Sequence, residues 1–327
     1  QFNSSVKVGS MDRQKGNYMN TEELGRARWL GAVNDGTDPM VLSPVYTYDW
    51  NGDFNNPVLN RVNPVPFVEG NPNFPSGDTG WWDAIYKTQT IIRNDLTVSG
   101  GTENSRMLLN LAHYKDDGML RTTGYERVTA RLNMSSTFFD DAFTIGANIM
   151  QVASVRQQDP IVGTVGVEGN ILSGYGAEYR WADIGIGQSP TIPLNGLDGT
   201  LSPILTFSDV TGQWDRYRNN ITFGNVYADF KPIDNLVIRT SVGVDYSHIK
   251  EKNIDPRWTS VNQSNTVNSL DIFTTDRLSR TWSNTANYTL DFGENRLGFL
   301  AGVEAIWDDF DTYYVGRRDF AANDEED

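Results

Sequence analysis

Apolar and polar residues alternate along much of the chain with a period of two. In Arg127 to Ser135, Val128, Ala130, Leu132 and Met134 share one side, while Arg127, Thr129, Arg131, Asn133 and Ser135 share the other. Successive side chains of a strand point to opposite faces, so this stretch predicts a strand with one apolar and one strongly polar face. Leu236 to Tyr246 repeats the pattern, and so does Arg296 to Trp307, where Leu297, Phe299, Ala301, Val303, Ala305 and Trp307 fall together. Further candidates are Gln1 to Ser10, Ile91 to Ser99, Ser105 to Tyr114, Phe143 to Val152, Asn220 to Lys231 and Arg277 to Phe292, which makes about nine strands.

The connections fall into two kinds. "SGGTEN", "FFDDA", "KPIDN" and "FGEN" are tight turns, each joining consecutive strands, whereas Met11 to Thr90, Lys115 to Gly124, Ala153 to Asn219 and Ser247 to Asp276 are long. Short and long alternate along the chain. Compact domains rarely keep long structureless loops, but a transmembrane β-barrel has short turns at its periplasmic end and long loops outside. The pattern therefore predicts an all-β fold: a partial antiparallel transmembrane β-barrel, about nine strands of a larger one, with long extracellular loops and one short helix. Its apolar strand faces meet lipid, and Arg127, Arg131, Arg239 and Asp245 face the lumen. Phe143, Phe230, Tyr246, Phe292 and Trp307, near strand ends, suit aromatic girdles at the membrane surfaces. On pattern alone, the alternative is a β-sandwich with its polar faces in bulk water.

The helix lies in the first long connection. "NTEELGRARWLGAV" places Asn20 as N-cap with Glu23 three residues on, a capping box that satisfies free amides at a helix start. Leu24, Trp29 and Leu30 are its expected packing residues.

Composition agrees with a barrel. Hydrophobic content is 38% and no run of 18 apolar residues occurs, which excludes a transmembrane helix. Barrel strands need only about 9 to 11 residues with every second one apolar, so a mean hydropathy of -0.47 is compatible with one. The chain has no cysteine, hence no disulfide framework and no thiolate metal site. A net charge of -15 argues against a nucleic-acid partner, which demands a basic surface. The chain opens on Gln1 without a signal-peptide pattern and alternates from the start, so it is expected to be an internal piece of a longer protein.

Candidate chemistry is sparse. His113 and His248 lie far apart in sequence and build no Ser/His/Asp arrangement; His113 reads as a lumen or rim residue. The acidic runs at Asp308 to Asp311 and Asp324 to Asp327 lack the spacing and glycine of an EF-hand and read as solvated loops. No catalytic residue, metal ligand or cofactor is therefore expected. The long connections do hold aromatics: Trp50, Trp81, Trp82, Tyr175, Trp181, Trp214 and Trp258 are the candidate ligand-binding residues. Indole stacks on the apolar C–H faces of sugar rings. The alternative is that these rings pack the loops on each other or on a partner.

Three stretches carry a family resemblance: "NYMNTEELGRARWLGAVNDG", "TGWWDAIYKTQTIIRNDLTVSGGTENSRMLLNLAHYKDDGMLRTTGYERVTARLNMSS" and "NVYADFKPIDNLVIRTSVGVDYS". They resemble the barrel portion of SusC/RagA-type TonB-dependent outer-membrane transporters of Bacteroidetes, most closely from Gly80 to Ser136. The ordered set is specific: a Trp-rich run, "VSGGTENSR", a strand ending "DDGML", then "GYERVTARLN". The resemblance implies a 22-stranded barrel closed by an N-terminal plug. It also implies a SusD-like surface lipoprotein as lid, energy from the TonB complex, contact with outer-membrane lipid, and a glycan or peptide ligand. Residues 1–327 would then be the N-terminal part of the receptor barrel, with the plug and the C-terminal strands outside the chain. The expected function is active import of oligomeric nutrients in the cell outer membrane, without enzyme activity. The alternative is a soluble secreted β-rich carbohydrate-binding module or glycosidase.

Overall fold

A computed structural model describes residues 1–10, 19–42, 46–66, 78, 87–119, 123–157, 161–162, 165–166, 216–255, 258–259 and 264–321. In chain order the strands are Phe2–Gly9 (β1), Tyr46–Trp50 (β2), Leu59–Pro64 (β3), Gln89–Gly101 (β4), Ser105–Asp116 (β5), Gly124–Phe138 (β6), Phe143–Gln157 (β7), Ile161–Val162 (β8), Val165–Gly166 (β9), Arg216–Ile233 (β10), Leu236–Asp255 (β11), Trp258–Thr259 (β12), Ser264–Asn265 (β13), Ser269–Phe292 (β14) and Asn295–Arg318 (β15). Thr21–Asn34 (α1) and Pro39–Leu42 (α2) are helical. Nine strands form one sheet in the order β1-β4-β5-β6-β7-β10-β11-β14-β15, and β2-β3, β8-β9 and β12-β13 are small ladders.

All nine strands read from the alternation are strands of this sheet, each paired antiparallel with its predecessor. All but β1 run longer than the pattern showed. β11 continues to Asp255 and β14 begins at Ser269, so the connection expected from Ser247 to Asp276 narrows to 256–268. The physical reason is that backbone pairing continues past the apolar band, where polar and apolar residues no longer alternate cleanly and the period-two signal fades.

The register carries the apolar face across the sheet. Met107, Met134, Ala147, Val226, Val242 and Trp282 lie side by side on successive strands β5 to β14. Three positions along, on the opposite face, run Asn110, Arg131, Met150, Phe223, Asp245 and Ser279. By the same count Arg127 and Arg239 share the polar face with Arg131 and Asp245. Phe138, Phe143 and Phe230 stand adjacent on the apolar face at the tight-turn end, as a girdle requires. The apolar face is open: Val242 is 53% exposed, Phe299 55% and Trp282 43%. Soluble monomers rarely expose an apolar surface of this extent, and a sandwich would cover it with a second sheet. Among the described residues no second sheet packs there.

The tight turns explain themselves locally. Between β14 and β15 Gly293 takes a positive φ of 59° at the first of two turn residues, the conformation of a II′ hairpin. Between β10 and β11 the register shifts from Phe230 to Ile233, and the bulge accommodates Pro232, which has no N–H to give a ladder.

The first long connection holds a small helix-on-hairpin unit. Asn20 caps α1: its side chain accepts from the Glu23 amide at 2.8 Å, and the Glu23 carboxylate accepts from the Asn20 amide at 3.0 Å. Trp29 and Val33 pack against Tyr46, Tyr48 and Val62 of β2 and β3. Gly25 makes the close approach possible, since a Cβ there would lie 2.4 Å from Val62 Cγ1. Leu30, expected to pack, is exposed and Leu24 is half-buried; the buried stripe is Gly25, Trp29, Ala32 and Val33. Asn20→Ala is expected to cost about 1 kcal/mol of local stability, read as faster hydrogen exchange in α1 with the barrel strands unchanged.

Candidate functional site

The polar face of the sheet is a connected surface built by register. Asp229 and Arg239 stand opposite each other on β10 and β11, and the guanidinium donates to both carboxylate oxygens at 2.6 and 2.7 Å. The Arg239 guanidinium also lies 4.4 Å from the centroid of Tyr227. That ring occupies the space above Gly146, where a Cβ would fall 2.3 Å from Tyr227 Cζ. Two residues along, Asn148 donates to Asn225 at 3.3 Å and Asn225 donates to Ser241 at 3.2 Å. A fixed carpet of donors and acceptors results, suited to holding polar solute and polar protein without reacting with either. Beside it a groove of about 490 Å³ is lined by Ser99, Arg106, Asn133, Asn148 and Tyr227 among others.

Both histidines are on the other face. The register aligns His113 with Val128, and His248 with Asn220 and Asp276, in the set that includes Met134 and Val242. His113 is thus a rim residue of the apolar face, with Nε2 2.9 Å from the Glu126 carboxylate. His248 Nδ1 is 2.6 Å from Asp276 Oδ1, which also accepts from the Tyr246 hydroxyl at 3.1 Å. Neither pair includes a serine, threonine or cysteine nucleophile. Among the described residues no cluster of His, Cys, Asp or Glu could hold a metal ion.

Of the candidate aromatics, Trp50 is placed with its side chain. It lies at the edge of the helix-on-hairpin core, 6.0 Å from Trp29 and 5.2 Å from Phe54, both edge-on. Beneath it Tyr46 is buried and donates its hydroxyl to the Thr21 carbonyl at 2.9 Å. Desolvation pushes its pKa up to about 12, against the opposing influence of Arg28. Trp81, Trp82, Tyr175, Trp181 and Trp214 lie outside the described residues, as does the side chain of Trp258, whose backbone is in β12. The sequence reading missed the hairpin that carries Trp50. Its signal was present in the alternation of Tyr46, Tyr48 and Trp50.

No family model matches the chain. Three curated proteins do. TonB-dependent receptor P3 of Formosa agariphila is 26% identical over 268 residues, and TonB-dependent receptor P26 of the same organism is 24% identical over 258. TonB-dependent receptor SusC of Bacteroides thetaiotaomicron is 24% identical over 198 residues. These alignments cover 79%, 73% and 53% of this chain. The chain is thus similar to TonB-dependent receptors, SusC among them. It spans about a quarter of the length of the two Formosa receptors, 25% and 23%. Among solved structures, the RagAB peptide importer in its closed-closed state superposes with a TM-score of 0.68 at 18% identity, covering 98% of this chain and 35% of that one. Its open-open state gives 0.67 at 17%. This likeness shows the fold, a nine-stranded part of a larger β-barrel. No helix among the described residues is long and apolar enough to cross a membrane.

Proposed function

We propose that the chain is the leading part of the barrel of a TonB-dependent importer that takes up oligomeric nutrients, glycan fragments or oligopeptides. The observation that carries this reading is the single nine-stranded sheet with a continuous apolar face and a hydrogen-bonded polar face. Such a wall seals against lipid on one side and offers solute a wet, non-reactive path on the other. The work is binding and passage, without covalent chemistry. Energy arrives from the TonB complex through a plug that lies outside this chain, and a SusD-like surface lipoprotein covers the long loops. The polar face itself supports a plug: Leu300, Ile306 and Phe310 of β15 point to that side and are 72%, 57% and 68% exposed, which calls for a protein surface against them.

Ligand capture falls to the aromatics of the long connections. In the full-length transporter, Trp81→Ala, Trp82→Ala and Trp181→Ala are each expected to weaken ligand binding about fivefold, one aromatic contact's worth, with barrel assembly intact. Trp50→Ala is expected also to loosen the unit around Trp29, so its stability is measured beside its affinity. Uptake is expected to vanish when TonB is deleted. Normal binding and import by all the loop variants, with Trp282→Ala impairing assembly, would show that the aromatics are structural and that the ligand sits elsewhere.

A further inference from the structure

The polar side of β5 and β6 carries a line of arginines. Arg127 and Arg131 lie four residues apart on β6, and Arg106 of β5 stands opposite Ser135, four residues further toward the tight turns. Counting in twos puts all three on one face. Strand geometry spaces them about 13 Å apart, over about 20 Å of height at a barrel's tilt. All three are exposed, and among the described residues none forms an ion pair. Their cross-strand neighbours are uncharged: Tyr114 and Ser154 flank Arg127, Asn110 and Met150 flank Arg131, and Gly101 and Ser135 flank Arg106. The chain has 42 acidic and 27 basic residues, yet the acids of this face are engaged or distant. Asp116, diagonal to Arg127, accepts from the Gln89 side chain, the Gly118 amide and the Tyr114 hydroxyl. Asp95 pairs with Arg93 and Asp229 with Arg239, while Asp245 lies three strands away on β11.

The groove at the foot of this line has the same chemistry. Arg106 lines it together with Ser99, Asn133, Ser135, Asn148 and Tyr227, and no carboxylate does. Guanidinium, amide and hydroxyl groups there offer hydrogen-bond donors, and a guanidinium presents a planar fork that fits both oxygens of a carboxylate. Single charges at wide spacing hold an oligomer weakly and repeatedly, which permits both entry and release. We propose that the cargo is an anionic oligomer bearing carboxylates, which Arg127, Arg131 and Arg106 hold in turn along the inner wall of β5 and β6. This inference rests on the import reading above and narrows its cargo. The cargo supplies the counter-charge that the register withholds.

The test uses the full-length protein in detergent micelles with fluorescent probes of matched length: oligogalacturonate, oligoglutamate, maltodextrin and a neutral glycine-serine peptide. At least one acidic probe is expected to bind about tenfold more tightly than the neutral probe of its own kind, the worth of three exposed charge pairs. Whichever does so identifies the cargo as glycan or peptide. Arg106→Gln, Arg127→Gln and Arg131→Gln combined are expected to abolish the preference, and added salt to erode it in the wild type. Arg106→Lys, Arg127→Lys and Arg131→Lys combined are expected to keep part of it, because the charge remains without the fork. The urea midpoint of the triple Gln variant is expected to match the wild type. A clear fall would show that the three guanidiniums hold carboxylates of the plug instead, and overturns the proposal. Equal wild-type affinity for acidic and neutral probes, or a preference that survives in the triple Gln variant, overturns it as well. Uptake that persists when TonB is deleted would sink the import reading, which the binding measurements do not touch.

Discussion

Arginine at Val242 is expected to cost about 2–4 kcal/mol of barrel stability, whereas arginine at Asn133 is expected to be much milder. Val242 lies mid-band on the apolar face, between Val226 and Trp282, and is 53% exposed to whatever covers that face. In lipid a guanidinium there finds no water and no carboxylate, and the loss is one of solvation. Asn133 lies one face over, opposite Asn148 in the polar groove, where an added cation stays wet. Both variants are made in the full-length protein. Assembly is read from heat-modifiable gel mobility, and stability from urea titration in lipid vesicles. Equal tolerance at the two positions would falsify the assignment of faces, because one position of register separates them.

Alanine at Gly224 is expected to cost about 3 kcal/mol, the upper part of the range for forcing volume into a packed site. A Cβ at Gly224 would lie 2.3 Å from the Asn148 carbonyl oxygen and 2.8 Å from the Ile149 Cα, both backbone atoms of the neighbouring strand β7. A side chain in the way can turn aside; a paired backbone can yield only by opening the β7–β10 ladder. Gly298 is the matched control, a strand glycine whose added Cβ meets nothing within 4 Å. Alanine there is expected to be neutral or to stabilise by about 0.5 kcal/mol through the unfolded chain. Hydrogen exchange across β7 and β10 separates the two outcomes, and slow exchange in both variants would mean that the ladder absorbs the methyl group without opening.

The alternation of residues such as Val128, Ala130, Leu132 and Met134 against Arg127, Arg131 and Asn133 was enough to find all nine strands of the main sheet and to divide their faces. It sufficed because a strand half in lipid and half in water writes its two solvents into successive residues. The capping box at Asn20 and Glu23 was equally legible, being a contact within four residues. Tertiary structure decided the rest. Which stripe of α1 is buried depended on Tyr46 and Val62, far along the chain, and so Gly25 packs while Leu30 does not. The lengths of β11 and β14 were invisible where polar and apolar residues stop alternating cleanly. Only register set Arg106 in line with Arg127 and Arg131, drew Asp229, Arg239, Tyr227 and Gly146 into one network, and put both histidines on the lipid side. Period two gives each residue its face, but its neighbour comes from the pairing of strands, which backbone hydrogen bonds and turn geometry fix across the sheet.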